Sequence, residues 1–189
     1  SQNGLSQNGL GTNFTTWFNL DASLSDVVMQ YLVRCAVPSG QVRTWTNPVT
    51  GVAYGWSGLF GLAPGWAAGS AATTTEQQLI TACLAAHVNK YGVHVQVSVQ
   101  GRSSTGAAIP LEANELTTYS VKEGCFFGNL FSGEGVFVGQ DHAPWSLKYS
   151  SARACALDYT YGPSPDCSPL QIVGACSSAC TLDSGGTFY

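Results

Sequence analysis

Between Asp21 and Ala36 apolar residues recur at helical spacing, with Leu24, Val28, Tyr31, Leu32 and Cys35 on one face. Asp21, Ser23 or Ser25 can cap the start, and Pro38 and Gly40 end the run. A second helix is expected from about Thr75 to Asn89. Thr73 with Glu76, or Thr74 with Gln77, has the form of a capping box, and Gly92 follows the last turn. Its apolar stripe is Leu79, Ile80, Cys83, Leu84, His87 and Val88. Between these helices, 41–46 and 51–56 flank Asn47-Pro48-Val49-Thr50 and read as a hairpin, and 58–66 reads as a glycine-rich apolar loop. Beyond the second helix the period changes to two. Val93, Val95, Val97 and Val99 alternate with His94, Gln96 and Ser98, as in a half-buried strand. Short strands near 117–121, 125–131 and 136–138 follow, separated by glycine turns. The pattern predicts an α+β fold over 15–189, one globular domain with a mostly antiparallel sheet and two packed helices.

Residues 1–14 stand apart as an N-terminal extension. The first ten are Ser-Gln-Asn-Gly-Leu repeated twice, with one leucine in five and no charge. Such a segment cannot bury enough surface to fold alone. It needs the body of its own chain or a neighbouring molecule to hold it. Read as a strand, Leu5 and Leu10 point to opposite faces unless a bulge at Gly9 intervenes.

Only 10% of the 189 residues are charged, against roughly 25% in a typical soluble domain. A weakly charged surface opposes self-association only weakly. The seven Lys and Arg residues are scattered and the net charge is -4, so a nucleic-acid partner is not expected. No apolar run is long enough to span a bilayer; the stretch from Tyr54 to Ala72 is broken repeatedly by Gly and Pro.

Seven cysteines stand at 35, 83, 125, 155, 167, 176 and 180, with no Cys-x-x-Cys pair. Four of them in the last quarter read as a disulfide-stapled region from an oxidising compartment. The chain begins at Ser1 and its one methionine is Met29, which with the cysteines points to removal of an export signal. Cys35 and Cys83, each on an expected helix, are assigned to one another. Cys155, Cys167, Cys176 and Cys180 then pair among themselves, and Cys125 is left as a free or intermolecular thiol, or a buried one that packs as a small hydrophobe.

Candidate chemistry is thin. No Gly-x-Ser-x-Gly occurs, and the best base for a hydrolytic triad is His142 beside Asp141. Cys83 and His87 share a helical face as half a metal site, with His94 as a further ligand. A disulfide to Cys83 would abolish it, and a core histidine bonded to the backbone explains His87 better. Glu112, Glu115, Glu123 and Glu134 supply carboxylates for glycoside hydrolysis, although acidic pairs usually mark a solvated face. No catalytic residue, metal or cofactor is assigned.

The Asn-Gly-Leu leader resembles that of a family of uncharacterised exported bacterial proteins. Similar too are the segments Tyr31-Leu-Val-Arg-Cys-Ala-Val-Pro38, Gly58-Leu-Phe-Gly-Leu-Ala-Pro-Gly-Trp66, Ala82-Cys-Leu-Ala-Ala-His-Val-Asn89 and Glu123-Gly-Cys-Phe-Phe-Gly-Asn-Leu-Phe131, and the cysteine-rich end. The resemblance implies export and a shared fold but no activity. It also implies a small residue at 125, where this chain has Cys125.

The expected function is an extracellular or cell-surface structural subunit that polymerises with copies of itself. Low charge, the repeat terminus, the odd cysteine and the few basic cleavage sites motivate it. Strand addition by residues 1–14 would place Leu5, Leu10 and Phe14 in pockets of the next subunit. The alternatives are a secreted sugar-binding module or adhesin using Trp56 and Trp66, and a secreted hydrolase using Glu112, Glu115 and Glu123 or Asp141 and His142.

Overall fold

Asp21 accepts a hydrogen bond from the Leu24 amide (3.0 Å) and so caps a helix at the first place the sequence offers. In the computed structural model, which describes residues 12–88, 94, 96–140 and 170–179, this helix is the second of the chain. Helix α1 (Thr12–Phe18) precedes α2 (Ala22–Ala36). The expected hairpin forms as β1 (Val42–Thr46) and β2 (Ala53–Ser57), antiparallel, with Trp45 opposite Tyr54 and Arg43 opposite Trp56. Then come α3 (Pro64–Ala67), α4 (Thr74–His87) and the single turn α5 (Glu115–Thr118). Strands β3 (Gly124–Asn129), β4 (Gly135–Gln140) and β5 (Leu170–Ala175) form a sheet in that order, and α6 (Cys176–Ala179) follows. The architecture is α+β, as the pattern predicts. No helix among the described residues is long and apolar enough to cross a membrane.

Two compact units emerge where the sequence pattern suggests one domain: 1–80 with 102–107, and 81–101 with 108–189. The expected boundary at residue 14 falls inside α1. Phe14 is helical, not extended. Its ring packs edge-on against Trp45 of the same chain (4.9 Å) and lies 5.7 Å from Phe18, so it is not a free anchor for a neighbour. Leu5 and Leu10 lie outside the described residues.

In the first unit an aromatic ladder sets the core. Trp45, Tyr54 and Trp56 share one face of the hairpin, stacked at 5.9 and 6.0 Å, and Phe18 sits on them at 4.8 Å from Trp45 and 4.7 Å from Tyr54. Buried Asn47 ties this layer to the helices by donating to the Asn19 side chain (2.7 Å), while its own side-chain oxygen accepts from Val49 (3.0 Å).

The glycine-rich loop 58–66 caps the far end of α2. The carbonyls of Arg34, Cys35, Ala36 and Val37 would be orphaned at a helix C-terminus. Phe60, Leu62, Ala63 and Gly61 amides respectively bond to them, at 2.9 to 3.2 Å, and Leu59 also donates to Arg34. A side chain at 58 would run into the Val37 and Pro38 carbonyls, which explains glycine there. Glu76 secures the loop's other end. Its carboxylate accepts from Gly65 (2.8 Å), Trp66 (3.3 Å) and Thr73 (3.0 Å), while Thr73 Oγ1 accepts from the Glu76 amide (3.2 Å). The Thr73–Glu76 capping box of α4 is therefore present, with a further task added.

In the second unit β3 and β4 are antiparallel, whereas β4 and β5 are parallel. Among its described residues Val136, Val138, Leu170 and Ala85 form a buried apolar cluster, with Phe126 packed against them. Cys125 of β3 is disulfide-bonded to Cys176, with Cα atoms 5.8 Å apart. That corrects the assignment of Cys125 as the spare thiol and of Cys176 to a tail-only set. The bond passes over β4 at Gly139, the register partner of Cys125; a Cβ there would stand 2.7 Å from the Cys125 sulfur and 3.1 Å from Cys176 Cα. Cys35 and Cys83, assigned to one another from the sequence, are each disulfide-bonded. Cys155, Cys167 and Cys180 lie outside the described residues.

Two expected strands do not form among the described residues. Residues 96–100 have no regular structure despite the valine alternation, and 93 and 95 lie outside the described residues. An alternating run is only a surface suited to a sheet and still needs a partner strand for its backbone. Here Ser98 instead donates to Glu115 (2.6 Å). The expected strand at 117–121 is replaced by α5, because Glu115 accepts from the Glu112 amide (2.8 Å) and Thr118 bonds back to Asn114, closing a helical turn.

Candidate functional site

Helix α2 carries three distinct faces, which follow from its 100° step per residue. Ser25, Met29, Val33 and Ala36 recur at i, i+4, i+8 and i+11 and are buried. Rotated onward by one residue, Asp26, Gln30 and Arg34 recur at i, i+4 and i+8, and they are the only charged or amide residues of the helix. The remaining face is apolar and exposed, with Leu24, Val27 and Val28 on the helix, Leu20 just before it and Trp17 on α1. Of the apolar residues that recur at helical spacing in the sequence, Cys35 is buried but Leu24 is 60% exposed, with Leu20 beyond it at 80%. The reason is that the hairpin and the 59–63 loop cover the Met29–Val33 side. Two amphipathic readings of one helix differ only in which side receives a partner.

The polar row lines a cleft of about 250 Å³ together with Gly55, Trp56 and Ser57 of β2. Asp26 Oδ1 accepts from Trp56 Nε1 (2.7 Å), which fixes the carboxylate and the indole together. Arg34 lies against the Phe60 ring, 5.8 Å from its centroid. Its side chain meets no carboxylate among the described residues, and its Nε is buried without a hydrogen-bond partner. An unpaired buried donor of this kind costs about 1–3 kcal/mol. Asp26 cannot relieve it directly, because eight residues of helix separate the two Cα atoms by about 12 Å.

Residues singled out by chemistry in the sequence are distributed otherwise. Trp56 and Trp66 are 2% and 4% exposed, so neither offers a ring face to a sugar. The Cys83–His87 pair is not half a metal site: Cys83 is in a disulfide, and His87 Nδ1 meets the Cys83 carbonyl at 2.8 Å, the backbone-bonded state expected of a core histidine. Glu115 serves its own turn. Hydrogen bonds from the Ser98 hydroxyl and the Glu112 amide hold its carboxyl below the usual carboxylate range. Glu112, Glu123 and Glu134 do not line the cleft, and neither does Glu115. Asp141 and His142 lie outside the described residues. The row Asp26, Gln30, Arg34 was missed by motif reading, though its strict fourfold spacing in a helix otherwise free of charge was a signal.

Comparison with family models, with characterised proteins and with solved structures returns no match.

Proposed function

We propose that the protein is an extracellular structural subunit that associates with copies of itself, and that the apolar face of α1 and α2 is a contact surface. The observation that carries this reading is the exposure of Trp17, Leu20, Leu24, Val27 and Val28 side by side at helical spacing. A second copy is the occupant favoured by charge: with 10% charged residues and a net charge of -4, like molecules repel weakly. The same face on two molecules pairs about a two-fold axis, Leu24 of one against Val28 of the other, as antiparallel helices do. The disulfides support assembly outside the reducing cytosol. The N-terminal repeat, with Leu5 and Leu10, precedes α1 in the sequence and adds a second contact by strand addition, which would turn pairs into a polymer.

Sedimentation velocity over a rising concentration series tests both contacts. Leu24→Gln with Val28→Gln is expected to weaken association at least 100-fold, while deletion of residues 1–11 stops growth beyond the pair. Wild-type association in the double variant would sink the α2 contact; unchanged particle size in the deletion would sink strand addition.

A further inference from the structure

We infer that the cleft between α2 and β2 binds a small hydroxyl-rich carboxylate, with Arg34 reading the carboxylate. The site is independent of the self-association surface, which lies on another face of the helix. Its groups are positioned and unsatisfied in the way a polar ligand requires. Arg34 has no acceptor for its guanidinium among the described residues, and Phe60 beneath it leaves the in-plane donors for a ligand. The buried Nε is covered, so an incoming carboxylate meets the terminal nitrogens first, in the paired geometry a planar guanidinium favours.

One helical turn away, the Gln30 amide supplies both a donor and an acceptor, and Gly55 and Ser57 of β2 line the opposite wall. At the far end Asp26 uses Oδ1 for the Trp56 indole, which leaves Oδ2 to accept from a ligand hydroxyl. Charge therefore runs from positive to negative along a cleft of about 250 Å³. At ~30 Å³ of liquid volume per water, that is the room of about eight waters, enough for one sugar-sized molecule. A carboxylate at one end and hydroxyl donors at the other is the chemistry of a uronic acid unit of an acidic polysaccharide, or of a free sugar acid.

The test uses the full chain with its disulfides intact, following the Trp56 indole N–H resonance while trigalacturonate, gluconate, a neutral glucose trisaccharide and sulfate are added separately. Saturable shifts with trigalacturonate are expected, with Arg34→Gln weakening binding at least tenfold, Arg34→Lys less, and the neutral trisaccharide inert. Tighter binding of trigalacturonate than of gluconate identifies a polysaccharide unit as the ligand; the reverse identifies a free sugar acid. No saturable shift with either, equal binding of the neutral trisaccharide or of sulfate, or unchanged affinity in Arg34→Gln overturns the proposal. Should Arg34→Gln lose its dispersed spectrum, Gln30→Ala takes its place. A fall of threefold or more supports the site, and wild-type affinity overturns it.

Discussion

The first unit is held by many small hydrogen-bonded and aromatic contacts; in the second, a disulfide crosses a three-stranded sheet. Around α2, the hairpin and the 58–66 loop, aromatic rings stack in a ladder, helix carbonyls are taken up by loop amides, and one buried carboxylate serves three backbone donors. Around β4, Val136, Val138, Leu170 and Ala85 are packed together and buried among the described residues. The Cys125–Cys176 bond there ties β3 to the end of β5 across the central strand. A fold can be made specific by distributed polar and aromatic fit or by restricting the unfolded chain, and the Cys125–Cys176 bond applies the second means to the strands of the second unit.

The largest effect is expected from removing the staple. Cys125 and Cys176 are 51 residues apart, and closing a loop of that length contributes about 4 kcal/mol on a chain-entropy estimate. In Cys125→Ser with Cys176→Ser, amide hydrogen exchange in β3, β4 and β5 should rise by orders of magnitude while β1 and β2 keep their protection. Equal loosening of the hairpin would break the contrast, since it would make the disulfide a support of the whole chain.

The converse change is Glu76→Ala. Glu76 is 3% exposed, and its loss leaves the Gly65, Trp66 and Thr73 amides without their acceptor. Hydrogen bonds to a charged group are worth roughly 1.5–3 kcal/mol each before compensation by water, so a net loss of about 3 kcal/mol is expected in urea unfolding. Hydrogen exchange should report it first in the 58–66 loop and at the C-terminal end of α2. A loss below about 1 kcal/mol would show that the loop is held by Trp66 and Leu62 burial instead.

How far the fold was legible follows the same division. Features written in adjacent residues were readable: the Thr73–Glu76 box, the Asp21 cap, and the hairpin around Asn47 and Pro48. Features that depend on what arrives from a distance were not. Leu24 and Val28 look like core until the hairpin is seen to cover Met29 and Val33. Val97 and Val99 have the alternation of a strand, yet 96–100 form none. Cys125 looked unpaired because its partner lies beyond a strand, β5, that short periodicity did not reveal, and because Gly139 is needed to let the bond cross. The cleft was half legible. Its α2 row follows from spacing alone, whereas Trp56 and Ser57 join it only through the hairpin.

The smallest expected effect concerns a local clip in the second unit, where 98 is tied to 115. Ser98 and the Glu112 amide both donate to Glu115, and both bonds favour the ionised carboxylate, which is why its pKa is lowered. A carboxyl whose folded pKa lies below its unfolded one binds protons more tightly when unfolded. Its contribution to stability is therefore complete above the ordinary carboxylate range, roughly pH 4.3, and is lost as pH falls through the lowered folded value. Acidification should release the Ser98 hydroxyl and raise amide exchange at 112 and 115 to 119 well before the disulfide-held strands respond. In Glu115→Gln that acid-dependent step should vanish, with exchange at these amides already raised at neutral pH. Because the group is partly solvated, the whole-chain melting temperature should move little in either case. An acid step of unchanged size in the variant would assign it to another carboxylate, and would leave the turn at 115–118 resting on its backbone bonds to Asn114 alone.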